Sequence, residues 1–144
     1  HAPRMLAGRR ALIVDDNESD RLILRSMLIA LGFGEIHEAE DGVMAESKIN
    51  ISSQIKTPFE LVFVDWMMPK LNGLKLLQHL RADKGNTNMV LIMTTSKTQH
   101  DAVVDAAKAG VDEYMIKPLT LDLLRAKIEK HFMAPEKNPV KKVK

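Results

Sequence analysis

The chain has no cysteine, one tryptophan and one tyrosine, and aromatic residues make up only 4% of its 144 positions. Without cysteine there is no disulfide framework, no zinc–thiolate site and no thiol nucleophile, and a reducing, cytoplasmic setting fits. No apolar run approaches the ~18–20 residues that cross a bilayer, and no charged-then-apolar leader precedes the first strand-like segment. A G-x-x-x-x-G-K-[ST] loop is also missing, which leaves nucleoside triphosphate binding of that kind unsupported. His37, His79, His100 and His131 lie too far apart to read as metal ligands, and the nine methionines read as loop and core filling.

A soluble globular balance is present, with 45% apolar and 28% charged residues. The net charge of +2 hides an uneven distribution. Residues 1–10 carry Arg4, Arg9 and Arg10, and residues 135–144 carry four lysines against Glu136. Removing +3 at each end leaves residues 11–134 at −4, so the folded part is acidic and gives little support to direct nucleic-acid binding, which needs a basic face. The division expected is an N-terminal extension at 1–9, one domain at 10–132 and a basic, solvated tail or linker at 133–144. His1 reads as a processed or engineered end, with Met5 as the natural start.

Short apolar runs alternate with helical patterns along the chain. Strands are predicted at Ala11–Val14, Glu35–Ala39, Leu61–Val64, Val90–Met93 and Tyr114–Ile116. Helices are predicted at about Ser19–Leu31 (stopped by Gly32), Val43–Ile49, Gly73–Arg81, Asp101–Ala109 and from Thr120 to about Phe132. "ISSQIKTP" (51–58) reads as a polar loop or frayed helix end. Five β-α units in succession predict a single α/β domain, a parallel sheet with helices on both faces. Ligands of such sheets bind at the carboxyl ends of the strands.

Those ends hold Asp15-Asp16, Asp65, Thr95-Ser96 and Lys117-Pro118. Any one of them alone is most simply a turn residue or cap. Together they place three carboxylates on one edge, where each pair would repel by about 3 kcal/mol. A divalent cation and Lys117 between them cancel three negative charges. Hard oxygen donors without His or Cys select Mg²⁺, with Mn²⁺ as the alternative. Such a pocket can accept and hold a phosphoryl group. Fast turnover would call for a second acid/base two residues after the acceptor, and Met67 stands there.

The segments "IVDDNESDR", "EAEDGVMA", "VDWMMPKLNGLKLLQHLRAD", "TTSK" and "AGVDEYMIKP" resemble the receiver domain of two-component response regulators, in particular its CheY-like chemotaxis branch, over residues 10 to 132. The resemblance implies a doubly wound, flavodoxin-like fold with strand order 2-1-3-4-5 and five helices. It implies Asp65 as phosphoacceptor, with Asp16, Asp65 and the Met67 backbone carbonyl as Mg²⁺ ligands and Asp15 acting mainly through water. Lys117 would pair with Asp65 and then with the phosphoryl oxygens. Thr95 would turn its hydroxyl toward them, and the Ser96 backbone would contact them. Tyr114 fits the aromatic switch position, against the plainer reading of a half-buried sheet residue. Met67 and Lys97 would flank the path of attacking water and alter the phosphoryl lifetime. Trp66 would report on the site or simply pack beside it.

The function so implied is a signalling switch, not an enzyme beyond its own phosphorylation and slow autodephosphorylation. Its donor would be a histidine kinase or histidine phosphotransfer protein. Its output would go to a downstream protein target through the face of the fourth helix, fifth strand and fifth helix. A monomer is expected, with dimerisation through that face as the alternative. Two other readings stand beside this one: a receiver module cut from a transcriptional regulator or hybrid kinase, and a small acyl-phosphate phosphohydrolase.

Overall fold

The computed structural model describes residues 6–68, 72–86, 88–96 and 100–132, the side chains of 100–102 excepted. Lys97 and the basic tail lie outside the described residues. Five strands, β1 (Arg10–Val14), β2 (Glu35–Ala39), β3 (Leu61–Asp65), β4 (Val90–Thr95) and β5 (Glu113–Ile116), form one parallel sheet in the order β2-β1-β3-β4-β5. Between them run α1 (Glu18–Ala30), α2 (Gly42–Gln54), α3 (Gly73–Ala82), α4 (His100–Ala109) and α5 (Leu121–Phe132). This is the doubly wound, flavodoxin-like arrangement expected of the sequence.

The central strands are apolar over Ala11–Val14, Leu61–Val64 and Val90–Met93 because helices cover both of their faces. Leu24, Leu28 and Leu31 from the α1 segment and Leu124 and Ile128 from α5 pack with Ile13, Phe63 and Ile92 on one side. Ala45 and Ile49 of α2, Leu76, Leu77 and Leu80 of α3 and Ala106 of α4 pack with Val14, Val64 and Met93 on the other. The alternation along β3 and β4 therefore sends Phe63 and Ile92 one way and Val64 and Met93 the other. Asp65 and Thr95 close their strands.

Caps fix where the helices begin. Asn17, Asp41 and Asn72 each accept a backbone N–H three residues on, and Thr120 accepts from Leu123 at 3.2 Å. Gly32 and Gly110, at φ 101° and 95°, follow α1 and α4 in the left-handed conformation that ends a helix. The helix α2 runs on through Gln54, five residues beyond the expected Ile49 and into the stretch read as a loop. Its inner face continues at Ser52, which is buried, and it closes on Lys56 at φ 63°. The Thr57 N–H reaches the Ser52 carbonyl at 2.8 Å and the Lys56 N–H that of Ser53 at 3.1 Å, a Schellman closure without glycine.

Core packing also starts upstream of Arg10. Leu6 is fully buried among the α1–α5 side residues, and the Arg9 guanidinium pairs with Glu60 and stacks 4.9 Å over the Phe132 ring. Gly34 makes room for this segment, since a Cβ there would sit 1.7 Å from the Ala7 carbonyl oxygen. At the far side of the sheet Glu113 of β5 receives Lys127, Lys130 and His131 at 2.8–2.9 Å. Burial raises the pKa of this carboxyl, but the three hydrogen bonds outweigh it and bring it down to about 2. Among the described residues no helix is long and apolar enough to cross a membrane.

Leu6→Ala is expected to destabilise the domain by about 2–4 kcal/mol, the cost of a core leucine truncation. Urea unfolding measures it; an effect under about 0.5 kcal/mol would place the edge of the core at Arg10 instead.

Candidate functional site

Strand order reverses between β1 and β3, because β2 is added on one side of β1 and β3 on the other. The carboxyl ends of these two strands therefore open a crevice. Asp15 and Asp16 follow β1, and Asp65 ends β3. One carboxylate oxygen from each lies within 4.8 Å of the others. Asp15 and Asp65 are buried and Asp16 is exposed.

Local hydrogen bonds set these side chains in place. One Asp15 oxygen accepts the Asn17 N–H at 2.9 Å, while the Arg21 guanidinium donates to the Asp15 carbonyl at 2.7 Å. One Asp65 oxygen accepts the Met67 N–H at 3.4 Å, and the Trp66 N–H donates to the Thr94 carbonyl at 2.8 Å. Gly73, the first residue of α3, approaches this turn closely. A Cβ on it would lie 2.6 Å from the Asp65 carbonyl oxygen and 2.9 Å from the Trp66 Cα. The helix can sit against the acidic turn because that position has no side chain.

Lys117 enters from the end of β5, where the Lys117–Pro118 peptide is cis. Its N–H donates to the Thr95 carbonyl at 2.7 Å, which ties the ends of β4 and β5 together. Its ammonium lies 2.7 Å from Asp15, 2.9 Å from Asp20 and 3.7 Å from Asp65. The expected pairing with Asp65 is present as an ion pair at 3.7 Å, while Asp15 and Asp20 hold the ammonium at hydrogen-bonding distance. Burial works against the Lys117 charge, but its bonds to Asp15 and Asp20 and the charge of Asp65 outweigh it, raising the pKa above the usual lysine range.

Asp20 joins this group although it stands at no strand end. It stands in the first turn of α1, where its N–H is held by the Asn17 cap at 2.9 Å. The available signal was its place in the first turn of a helix that opens directly after the acidic strand end. With Asp20 counted, Lys117 and one divalent cation leave the group at −1 instead of neutral.

The remaining predicted positions are more dispersed. Thr95 is buried at the end of β4, and Ser96 is exposed just after it. Tyr114 is 40% exposed and pairs with Met93, so it shares a sheet face with Thr95 but faces outward. Met67 is 68% exposed beside the acidic turn, whereas Trp66 packs partly buried against the core on the α2–α4 side.

Electrostatics single out Asp65. Its burial, and then the charge of Asp15, push its pKa up from 3.8 to about 6, against the opposing pull of Lys117 and the Met67 N–H. A carboxylate that costs this much to ionise beside two others is the environment a hard divalent cation relieves. The donors present, all carboxylate oxygens, fit Mg²⁺.

The family model for the response regulator receiver domain matches residues 11–129. The chemotaxis protein CheY of Pseudomonas aeruginosa is 37% identical over 123 residues, which cover 85% of this chain and 95% of that protein. CheY-3 of Vibrio cholerae is 36% identical over 123 residues, 85% of this chain and 91% of its own. Among solved structures, the CheX–CheY–BeF₃⁻–Mg²⁺ complex of Borrelia burgdorferi aligns at a TM-score of 0.76 and 26% identity. That alignment covers 87% of this chain and 90% of the other. The chain belongs to the response regulator receiver family, signalling domains that act as phosphoacceptors and bind Mg²⁺ in the acidic pocket.

Because the folded-state pKa of Asp65 lies above its value in the unfolded chain, ionising it costs stability. That cost is absent below about pH 4 and complete above about pH 6. Asp65→Asn is therefore expected to be more stable than the parent by about 1–3 kcal/mol near pH 7.5, and equal to it near pH 4. Urea unfolding at the two pH values checks this. Millimolar Mg²⁺ should narrow the gap by stabilising the parent.

Proposed function

We propose that this receiver domain is a phosphorylation-driven signalling switch with Asp65 as its acceptor. One observation carries the reading: three carboxylates converge within 4.8 Å at the β1–β3 crevice, with the Lys117 ammonium 3.7 Å from Asp65. The donor is a phosphohistidine on a histidine kinase or phosphotransfer protein. An Asp65 carboxylate oxygen attacks phosphorus, an O–P bond forms, and the N–P bond breaks. The electron pair of that bond stays on the imidazole nitrogen, which takes a proton from solvent.

Mg²⁺ held by Asp16, Asp65 and the Met67 carbonyl, with Asp15 behind it, would neutralise the oxygens of the transferring group. Lys117 supplies the second positive charge, and Thr95 and the Ser96 N–H sit at the neighbouring strand end to donate to the new anion. Asp65 reacts as its ionised form, which dominates above about pH 6.

Output follows from the placement of Lys117 and Thr95 on the last two strands. A dianion on Asp65 draws both toward β3. Space near Thr95 then opens to the ring of Tyr114, now half exposed on β5, and the α4-β5-α5 surface changes for its partner. The relatives at 36–37% identity are chemotaxis proteins, which favours a cytoplasmic chemotaxis-type target. The domain is a switch and not a turnover enzyme: the exposed Met67 offers no acid/base beside Asp65. The same switch serves a free-standing regulator or a module of a longer chain.

Incubation with Mg²⁺ and acetyl phosphate should add the mass of one phosphoryl group and change Trp66 fluorescence. Asp65→Asn or removal of Mg²⁺ should abolish both effects. A phosphorylated product that persists in Asp65→Asn would reject the assignment.

A further inference from the structure

Lys117 has three carboxylates around it and a preference among them. Its ammonium has three donors. Asp15 at 2.7 Å and Asp20 at 2.9 Å each take one, and Asp65 stands beyond bonding distance at 3.7 Å. Asp15 ends its strand in the metal cluster, so its contact belongs to the site already described. Asp20 comes from a different element. The Asn17 cap fixes its backbone, and its carboxylate is 38% exposed while Lys117 is 18% exposed.

We infer that Asp20 is a positioning residue: it holds the Lys117 ammonium away from Asp65 in the resting domain and so sets the threshold for phosphorylation. The inference rests on the reading of Asp65 as acceptor and adds a restraint on it.

Two effects of Asp20 act in the same direction. It competes with the incoming phosphoryl oxygens for a lysine proton, and it contributes a negative charge to a pocket about to receive an anion. Phosphorylation must therefore draw Lys117 off Asp20 as well as toward Asp65. Such a contact links α1 to the end of β5 and is broken or loosened by the event the domain senses. On a cation Asp20 acts oppositely, since its charge favours Mg²⁺. A residue needed only for folding would lack this asymmetry, because its loss weakens both ligands.

The test compares the parent, Asp20→Asn and Asp20→Glu by calorimetric titration with Mg²⁺ alone, and then with beryllofluoride at saturating Mg²⁺. Removing one charge at the margin of a partly exposed cluster should change each affinity by about three- to tenfold. Asp20→Asn should bind beryllofluoride more tightly and Mg²⁺ more weakly, and Asp20→Glu should return both toward the parent. Beryllofluoride binding that is unchanged or weaker in Asp20→Asn overturns the inference, and if the parent binds both ligands the acceptor reading still stands. A parent that binds neither overturns both.

Discussion

Four carboxylates and one ammonium share the carboxyl edge of this sheet, and the edge holds together because Lys117 faces three of them. Like charges brought this close in a partly dry crevice would ordinarily take up protons or move apart. Here the strain is divided unequally. Lys117 is bound to Asp15 and Asp20, and the uncompensated cost falls on Asp65, whose pKa is driven to about 6. That carboxylate stands at the switch point, where a cation and then a phosphoryl group can relieve it. Gly73 and the Asn17 and Asn72 caps serve the same end, since each lets a helix begin beside the cluster without filling it.

Most of the fold was legible because parallel strands covered on both faces leave unbroken apolar runs such as Leu61–Val64, and glycines stand after α1 and α4. Where the reading fell short, the signal was chemically atypical. The helix α2 ends on Lys56, which adopts a left-handed conformation that sequence reasoning assigns to glycine or asparagine. Its last turn is the polar "ISSQ", whose buried Ser52 carries no apolar mark. Leu6 went unnoticed because one apolar residue among arginines, alanine and glycine shows no periodicity; its burial depends on Gly34 and Phe132, remote in sequence.

The acidic cluster was readable because each member follows a strand, and strand ends in this topology meet at one edge. Asp20 was not, since a carboxylate in the first turn of a helix already has a sufficient explanation in the helix dipole. Only the folded placement of the first turn of α1, which brings Asp20 within 2.9 Å of the ammonium at the end of β5, shows that it reaches Lys117. For the same reason the sequence could supply Lys117 as a neutralising charge but not its order of preference among partners. That order is set by side-chain reach across three elements, which spacing along the chain does not encode.

At the opposite rim from the chemistry, Arg9 lies over Phe132, so the first and last described parts of the domain touch. A module whose entrance and exit are neighbours can be spliced into a host polypeptide, or have its ends joined and reopened elsewhere, with little demand on linker length. The domain is in this sense a cassette: its attachment points are gathered at one pole and its reactive carboxylates at the other, so fusion partners can be exchanged without crowding the crevice.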